Sequence, residues 1–312
     1  MKFHLKDNIK KIRREFTIAH FIAGLILGLV VIFIAFICIL AWGIYKLGWE
    51  GKIIDDLATS LHLPVARVNS QFILYPDYLV SLKSADKFYE KQRQANFPDV
   101  PTYNDLKKIV LEERLINNIL VKKIARRYNI TVNQEEVNNH IDEVIKSKGS
   151  KEELEKFLAD YYNLNIEQYK KYFTEPNLYL DKLEIAVRDD KHINGQAKSK
   201  IEEALAKLKN GDKFEDIAKQ YSEGAEAAQG GLIGNVLRGE LPKEIENNLF
   251  GMEAGQYSDI YNLADRFIIF RLEKKDEARG VLTLSSIEVK FTTLSDLITE
   301  EKQKTQIKIY VY

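Results

Sequence analysis

Residues 208–234 read LKNGDKFEDIAKQYSEGAEAAQGGLIG, and the fold is decided there. Asn210-Gly211 closes a helix that starts near Gln196 and carries Ile201, Leu205 and Leu208 on one face, since glycine ends a helix without a steric penalty. Phe214 to Tyr221 forms a second helix, Gly230-Gly231 a turn, and Leu232 to Val236 a strand. Outward from this core, Leu183-Glu-Ile-Ala-Val187 reads as a preceding strand. Pro242 opens a further helix, Gly255 marks a turn, and Tyr257 to Asn262 and Arg266 to Leu272 read as closing strands. The pattern is that of a small α+β domain.

Upstream, the chain turns helical. Apolar residues at 106, 109, 110, 116, 119, 120 and 124 trace a helix face from Asp105 to Arg127. Asn129-Ile-Thr-Val breaks it. Asn133 with Glu136 then forms a capping-box start for a helix bearing Val137, Ile141, Val144 and Ile145, and Ser150 with Glu153 starts the next. A fourth helix follows Asn165 and meets Pro176, which removes a backbone bond and forces a kink or restart. Before the helices, Pro64 to Val68 and Gln71 to Leu74 read as a hairpin around Asn69-Ser70. At the far end, Ile307 to Val311 alternates as a strand with one buried face and is expected to pair with that hairpin.

From Thr17 to Tyr45 no acidic or basic residue occurs except His20, and Leu25 to Leu40 is almost wholly aliphatic or Phe. About 20 apolar residues cross a bilayer, so this segment is expected to be a transmembrane helix. Trp42, Tyr45 and Trp49 suit the far interface. Lys2, Lys6, Lys10, Lys11, Arg13 and Arg14 precede the span, whereas Glu50, Asp55 and Asp56 offset Lys46 and Lys52 after it. The positive-inside bias puts the N-terminus in the cytoplasm and the rest outside. The apolar run is too long for a cleaved signal and lacks an A-x-A-like site, so the anchor is expected to stay.

Composition excludes several functions. The 46 Lys and Arg balance the 46 Asp and Glu, leaving no net field to gather nucleic acid. Cys38 is the sole cysteine and lies in the apolar run, so an intramolecular disulfide is impossible. The five histidines are scattered without metal-site spacing, and no metal or cofactor is expected.

The string "LKNGDKFEDIAKQYSEGAEAAQGGLIG…RGELPKEIENNLFGMEAGQYSDIYN…FIIFRLEKK" resembles the parvulin family of peptidyl-prolyl cis-trans isomerases over about Lys182 to Lys275. The runs "PVARVNSQFI…YPDYL", "VLEERLINNILVKKIARRYNITVNQEEVNNHI" and "FLADYYNLNIEQYKKYF" resemble the chaperone region of the SurA, PrsA and PpiD group of envelope foldases. The resemblance implies an α+β protein with an N-terminal transmembrane helix, a helical SurA-N-like chaperone domain and a small parvulin-like domain inserted before a C-terminal strand. The expected boundaries are a cytoplasmic tail at 1–15, a transmembrane helix at 16–46, the chaperone domain at 47–181, the parvulin-like domain at 182–276, and a C-terminal extension at 277–312 packing on the chaperone domain.

The resemblance also implies where catalysis would sit. Parvulins carry a histidine on the first strand, which Glu184 matches here, and one on the last strand, which Phe267 matches. The cysteine or aspartate after their "Y-S" aligns with Gly224. All three polar positions are altered, and His192 stands too close to the next helix to replace the first. The family's apolar pocket survives as Leu241, Ile245 and Phe250, the expected substrate-binding residues, although side chains of these types also serve as ordinary core. The resemblance thus implies a membrane-anchored, extracytoplasmic foldase or chaperone for unfolded or newly exported polypeptides with a degenerate isomerase domain. The alternatives are an active isomerase with a rearranged site and a structural envelope scaffold.

Overall fold

The computed structural model describes the backbone of residues 3–311 and the side chains of 20–311. The basic side chains expected in the tail at 1–15 lie outside the described residues. The chain divides into two compact units: 1–119, 143–172 and 304–312 form the first, and 120–142 with 173–303 the second.

The first unit begins with α1 (Phe3–Leu47), which contains one stretch, His20–Leu47, long and apolar enough to cross a membrane. Its last turns are not free: Leu40 and Ile44 are buried, and the Tyr45 hydroxyl donates to the Pro64 carbonyl at 2.7 Å. Trp49 folds back so that its ring covers Gly43, where even a Cβ would stand 2.2 Å from the indole. The helix α2 (Lys52–Ser60) leads into the hairpin of β1 (Pro64–Val68) and β2 (Gln71–Leu74). Asn69 takes φ 51° at the turn, a conformation that asparagine tolerates.

Helix α3 (Tyr75–Gln94) then starts with a proline in its first turn and buries Tyr75, Tyr78, Leu79 and Leu82. Its length is absent from the sequence reading because its polar residues, such as Ser81 and Ser84, face inward and blur the apolar period. Next come α4 (Tyr103–Lys108), closed by a Thr102–Asp105 capping box, a π-helical stretch at Ile109–Ile116, and α5 (Asn117–Arg127). Helix α6 (Gln134–Lys148) begins at Asn133, whose side chain and that of Glu136 cap reciprocally. Helix α7 (Lys151–Tyr162) begins at Ser150. Phe88 of α3 stacks on Tyr162 with centroids 5.5 Å apart.

After α8 (Ile166–Tyr169) a second π stretch, Lys170–Thr174, precedes α9 (Glu175–Arg188). Pro176 has no N–H to give the carbonyl four residues back, that of Tyr172. The guanidinium of Arg114 serves that carbonyl instead at 2.8 Å, and its burial pushes its pKa down to about 10.

The second unit holds α10 (Gly195–Lys209), α11 (Phe214–Tyr221), β3 (Leu232–Leu237), α12 (Lys243–Phe250), β4 (Tyr261–Leu263), β5 (Arg266–Asp276), β6 (Val281–Lys290) and α13 (Leu294–Lys304). Its sheet has the order β3-β6-β5-β4, antiparallel throughout. One face packs Phe267, Ile269, Ile287 and Val289 against α10 and α11; the other packs Ile268, Phe270, Leu282 and Leu284 against α12. A helical core joins α5, α9 and α13 through Val121, Ile124, Leu183, Val187 and Leu294.

Two readings are corrected here. Leu183 to Val187 is not a strand but the last half of α9, because Leu183 and Val187, four residues apart, share the helix stripe that meets α5 and α13. The segment beyond 276 does not extend only toward the helical region: β5 and β6 form one long hairpin, which makes β6 a central strand of the four-stranded sheet.

The chain ends in β7 (Ile307–Ile309), which returns to the first unit and pairs antiparallel with β1, Ala66 opposite Ile309 and Val68 opposite Ile307. Asn69 N–H donates to the Gln306 carbonyl at 2.8 Å, and Tyr310 N–H to that of Val65 at 2.9 Å. The resulting sheet has the order β2-β1-β7.

Two predictions follow from these contacts. Glu301 on α13 is 3% exposed and accepts from both Lys123, at 2.6 Å, and Arg127 of α5. The Lys123 hydrogen bond, aided by Arg127, outweighs burial and holds the carboxyl below the ordinary glutamate range. A carboxyl with a lowered folded pKa stabilises at pH values above its unfolded pKa and loses that contribution as pH falls through the folded one. Glu301→Gln should therefore cost about 2 kcal/mol at neutral pH, measured as hydrogen-exchange protection of α13, with the difference vanishing below the ordinary glutamate range. Truncation after Lys304 should lower the exchange protection of β1 and β2 while leaving β3 to β6 protected.

Candidate functional site

The apolar residues expected to bind substrate meet on one face of the four-stranded sheet. Proline at 242 starts α12, which lays Ile245 and Leu249 on Ile268, Phe270 and Leu284; Leu241 and Phe250 pack half-buried around them with Met252 and Tyr261. Ile245 is 7% exposed, so it is a floor, and Leu241 and Phe250 form the accessible rim. The rim is braced: the Arg238 guanidinium sits 3.9 Å from the Phe250 ring centroid, Lys275 donates to the Phe250 carbonyl at 2.8 Å, and buried Glu246 accepts the Gly239 N–H. Beneath, the buried Ser258 hydroxyl accepts Phe270 N–H at 3.0 Å and donates to the Asp259 carbonyl at 2.7 Å.

The three family-matched polar positions are not brought together. Glu184 lies exposed on α9, a helix of the other core. Phe267 is 4% exposed on the face covered by α10 and α11, opposite Leu241, Ile245 and Phe250, with its ring 4.7 Å from that of Phe291. Gly224 lies in the loop after α11, and the space its side chain would fill is taken by the carboxylate of Glu288, 3.0–3.1 Å from an ideal Cβ.

That carboxylate belongs to β6 and heads a polar group absent from the sequence reading. Glu288 accepts from Ser286 Oγ at 2.7 Å and from Arg266, while Ser222 Oγ accepts Glu288 N–H at 3.0 Å and Gly224 N–H at 3.2 Å. The Glu288 bond is the largest cause of a raised Arg266 pKa, with Asp265 adding to it. Glu288 stands opposite Ile268 and Ser286 opposite Phe270 in the β5–β6 ladder, and residues directly opposite share a face. The polar group and the apolar rim therefore share one side of the sheet. A signal for it exists in the sequence: apolar residues fall at Leu282 and Leu284 and then, on the other parity, at Ile287 and Val289, the mark of a strand buried on both faces.

The face thus carries the half-buried apolar side chains of Leu241 and Phe250 and, on the same side of the sheet, the carboxylate and hydroxyl of Glu288 and Ser286. Among the described residues no group of three His, Cys, Asp or Glu is placed to hold a metal.

Comparison with known proteins matches two stretches of the chain to known domain families. Residues 183–274 match the PPIC-type PPIase (Rotamase) domain, and residues 9–184 match the SurA-like N-terminal domain. Foldase protein PrsA 1 of Listeria innocua is 27% identical over 249 residues, covering 78% of this chain and 70% of that one. Foldase protein PrsA of Staphylococcus aureus is 28% identical over 206 residues, covering 56% of this chain and 64% of that one, so the chain spans less than two thirds of that relative. The crystal structure of a PrsA foldase from Lactococcus lactis aligns over 77% of this chain and 86% of its own with 12% identity and a TM-score of 0.25. The chain belongs to the SurA-like N-terminal domain family and, in the manner of SurA- and PrsA-like parvulin foldases, joins that domain to a PPIC-type PPIase domain.

Proposed function

We propose that the protein is a membrane-anchored foldase that holds unfolded, newly exported polypeptides outside the cytoplasm and catalyses proline isomerisation weakly or not at all. The observation that carries this reading is the joining of a SurA-like and a PPIase domain to an apolar helix whose side chains, such as Phe21, Leu27 and Ile32, are 65–73% exposed. A run of that kind favours lipid around it. In this reading the tail is 1–15, the span 16–46 and the chaperone domain 47–181, and the partners are polypeptide clients and the bilayer, with no nucleic acid.

Rotation about an X-Pro bond faces a barrier of about 18–20 kcal/mol, and placed polar groups lower it. With Glu184 on a helix, Gly224 without a side chain and Phe267 in the core, the family's polar positions are empty. Glu288 with Ser286 supports a second reading, an isomerase whose polar group comes from β6.

Four measurements test these readings. Protease added to intact cells should digest the chain after Trp49; survival of that part overturns the orientation. The full chain in detergent should suppress aggregation of an unfolded client and barely accelerate isomerisation of a proline tetrapeptide. Robust acceleration that falls about 100-fold in Glu288→Gln, and not in Glu184→Gln, selects the rearranged site. Crosslinking that captures one partner rather than many exported chains would point to a scaffold.

A further inference from the structure

A cavity of about 500 Å³ opens in the first unit beside the C-terminal end of α1. Its origin is local. The helix stops at Gly48 with φ +64°, Trp49 turns back onto Gly43, and the connector to α2 leaves a hollow over the first turns of α3. The volume falls within the range of small-ligand sites, enough for one or two side chains.

Aromatic rings wall it: Trp49, Tyr75, Tyr78 and Tyr103. Tyr75 and Tyr78 meet edge to face, centroids 6.1 Å apart at 74°. Two carboxylates, Glu50 and Asp55, line it against one cation, Lys107. Lys107 is already committed, ion-paired with Glu50 and 5.4 Å from the Tyr103 ring centroid. Asp55 accepts the Tyr75 hydroxyl at 2.8 Å, and among the described residues no lysine or arginine forms an ion pair with it. The surplus negative charge is felt by its neighbours. Burial and then the carboxylates of Asp55, Glu50 and Asp86 push the Tyr103 hydroxyl up, and burial and the bond to Asp55 do the same to Tyr75.

Aromatic faces with an unneutralised carboxylate suit a cation borne on an apolar stem. We propose that this cavity is a client subsite that takes a lysine or arginine, with an adjacent apolar side chain, from an extended segment of an exported polypeptide. It rests on the client-holding reading above. An anionic lipid headgroup, the other molecule that would meet this end of a membrane helix, is opposed by the same carboxylates.

The test uses the full chain in a neutral detergent and two fluorescein-labelled dodecapeptides, one alternating lysine with leucine and one alternating glutamate with leucine, read by anisotropy. The lysine peptide should bind about tenfold more tightly than the glutamate peptide, and Asp55→Asn should remove most of that preference. Lys107→Gln, which leaves Glu50 unpaired, should tighten the lysine peptide several-fold, a gain that no misfolded variant produces. Equal affinity of the wild type and both variants for the lysine peptide overturns the subsite. So does quenching of Trp49 fluorescence, in a Trp42→Phe background, by brominated phosphatidylglycerol that the lysine peptide cannot relieve. Failure of the client-holding reading shows separately, as a wild type that does not suppress client aggregation. Suppression that persists with equal peptide affinities overturns the subsite alone.

Discussion

A strand buried on both faces has no solvent to satisfy its backbone, so it must find a hydrogen-bonding neighbour on each side. β6 meets that demand with β3 along 281–285 and β5 along its whole length. Where β3 ends, the loop after α11 takes over: Ser286 N–H donates to the Gly231 carbonyl at 2.7 Å and Glu223 N–H to that of Glu288 at 2.7 Å. Gly231 is fixed by this contact, since a Cβ there would lie 2.3 Å from the Ser286 carbonyl oxygen. Both cores that flank the four-stranded sheet, and the position of the Gly224 loop, depend on this one strand.

The same constraint explains the mixed character of the face that carries α12. A central strand with apolar residues toward both helix layers can carry polar side chains only where they find partners, and β6 does so at Ser286 and Glu288, opposite Phe270 and Ile268. Their polarity is absorbed by Arg266, Ser222 and each other, so the group is ordered without a histidine. Leu241 and Phe250 lie half-buried on the same side.

What was legible in the sequence was whatever local chemistry fixes. The caps at Asn133, Ser150 and Asn165, the restart at Pro176 and the glycine turns all stand where their residues require. The association of Leu241, Ile245 and Phe250 followed from the family resemblance. Illegible were the choices that tertiary contacts make. Leu-Glu-Ile-Ala-Val at 183–187 suits a strand or a helix equally by propensity, and only the partners of Leu183 and Val187 decide for the helix. Glu288 sits next to Gly224 across 64 residues of sequence because β5 and β6 form a hairpin longer than the resemblance covers, a fact no spacing rule carries.

The closing strand has a consequence in time. Gln306 and Asn69 are bonded across 237 residues, so β1 and β2 leave the ribosome long before β7 exists. Until then the hairpin offers a bare edge, the kind of surface on which foreign strands add. Loop closure over such a span is slow compared with helix formation, so α3 and α7 are formed well before the sheet of their unit is sealed. The fold thus passes through an unfinished stage of its own, which ends when β7 pairs with β1.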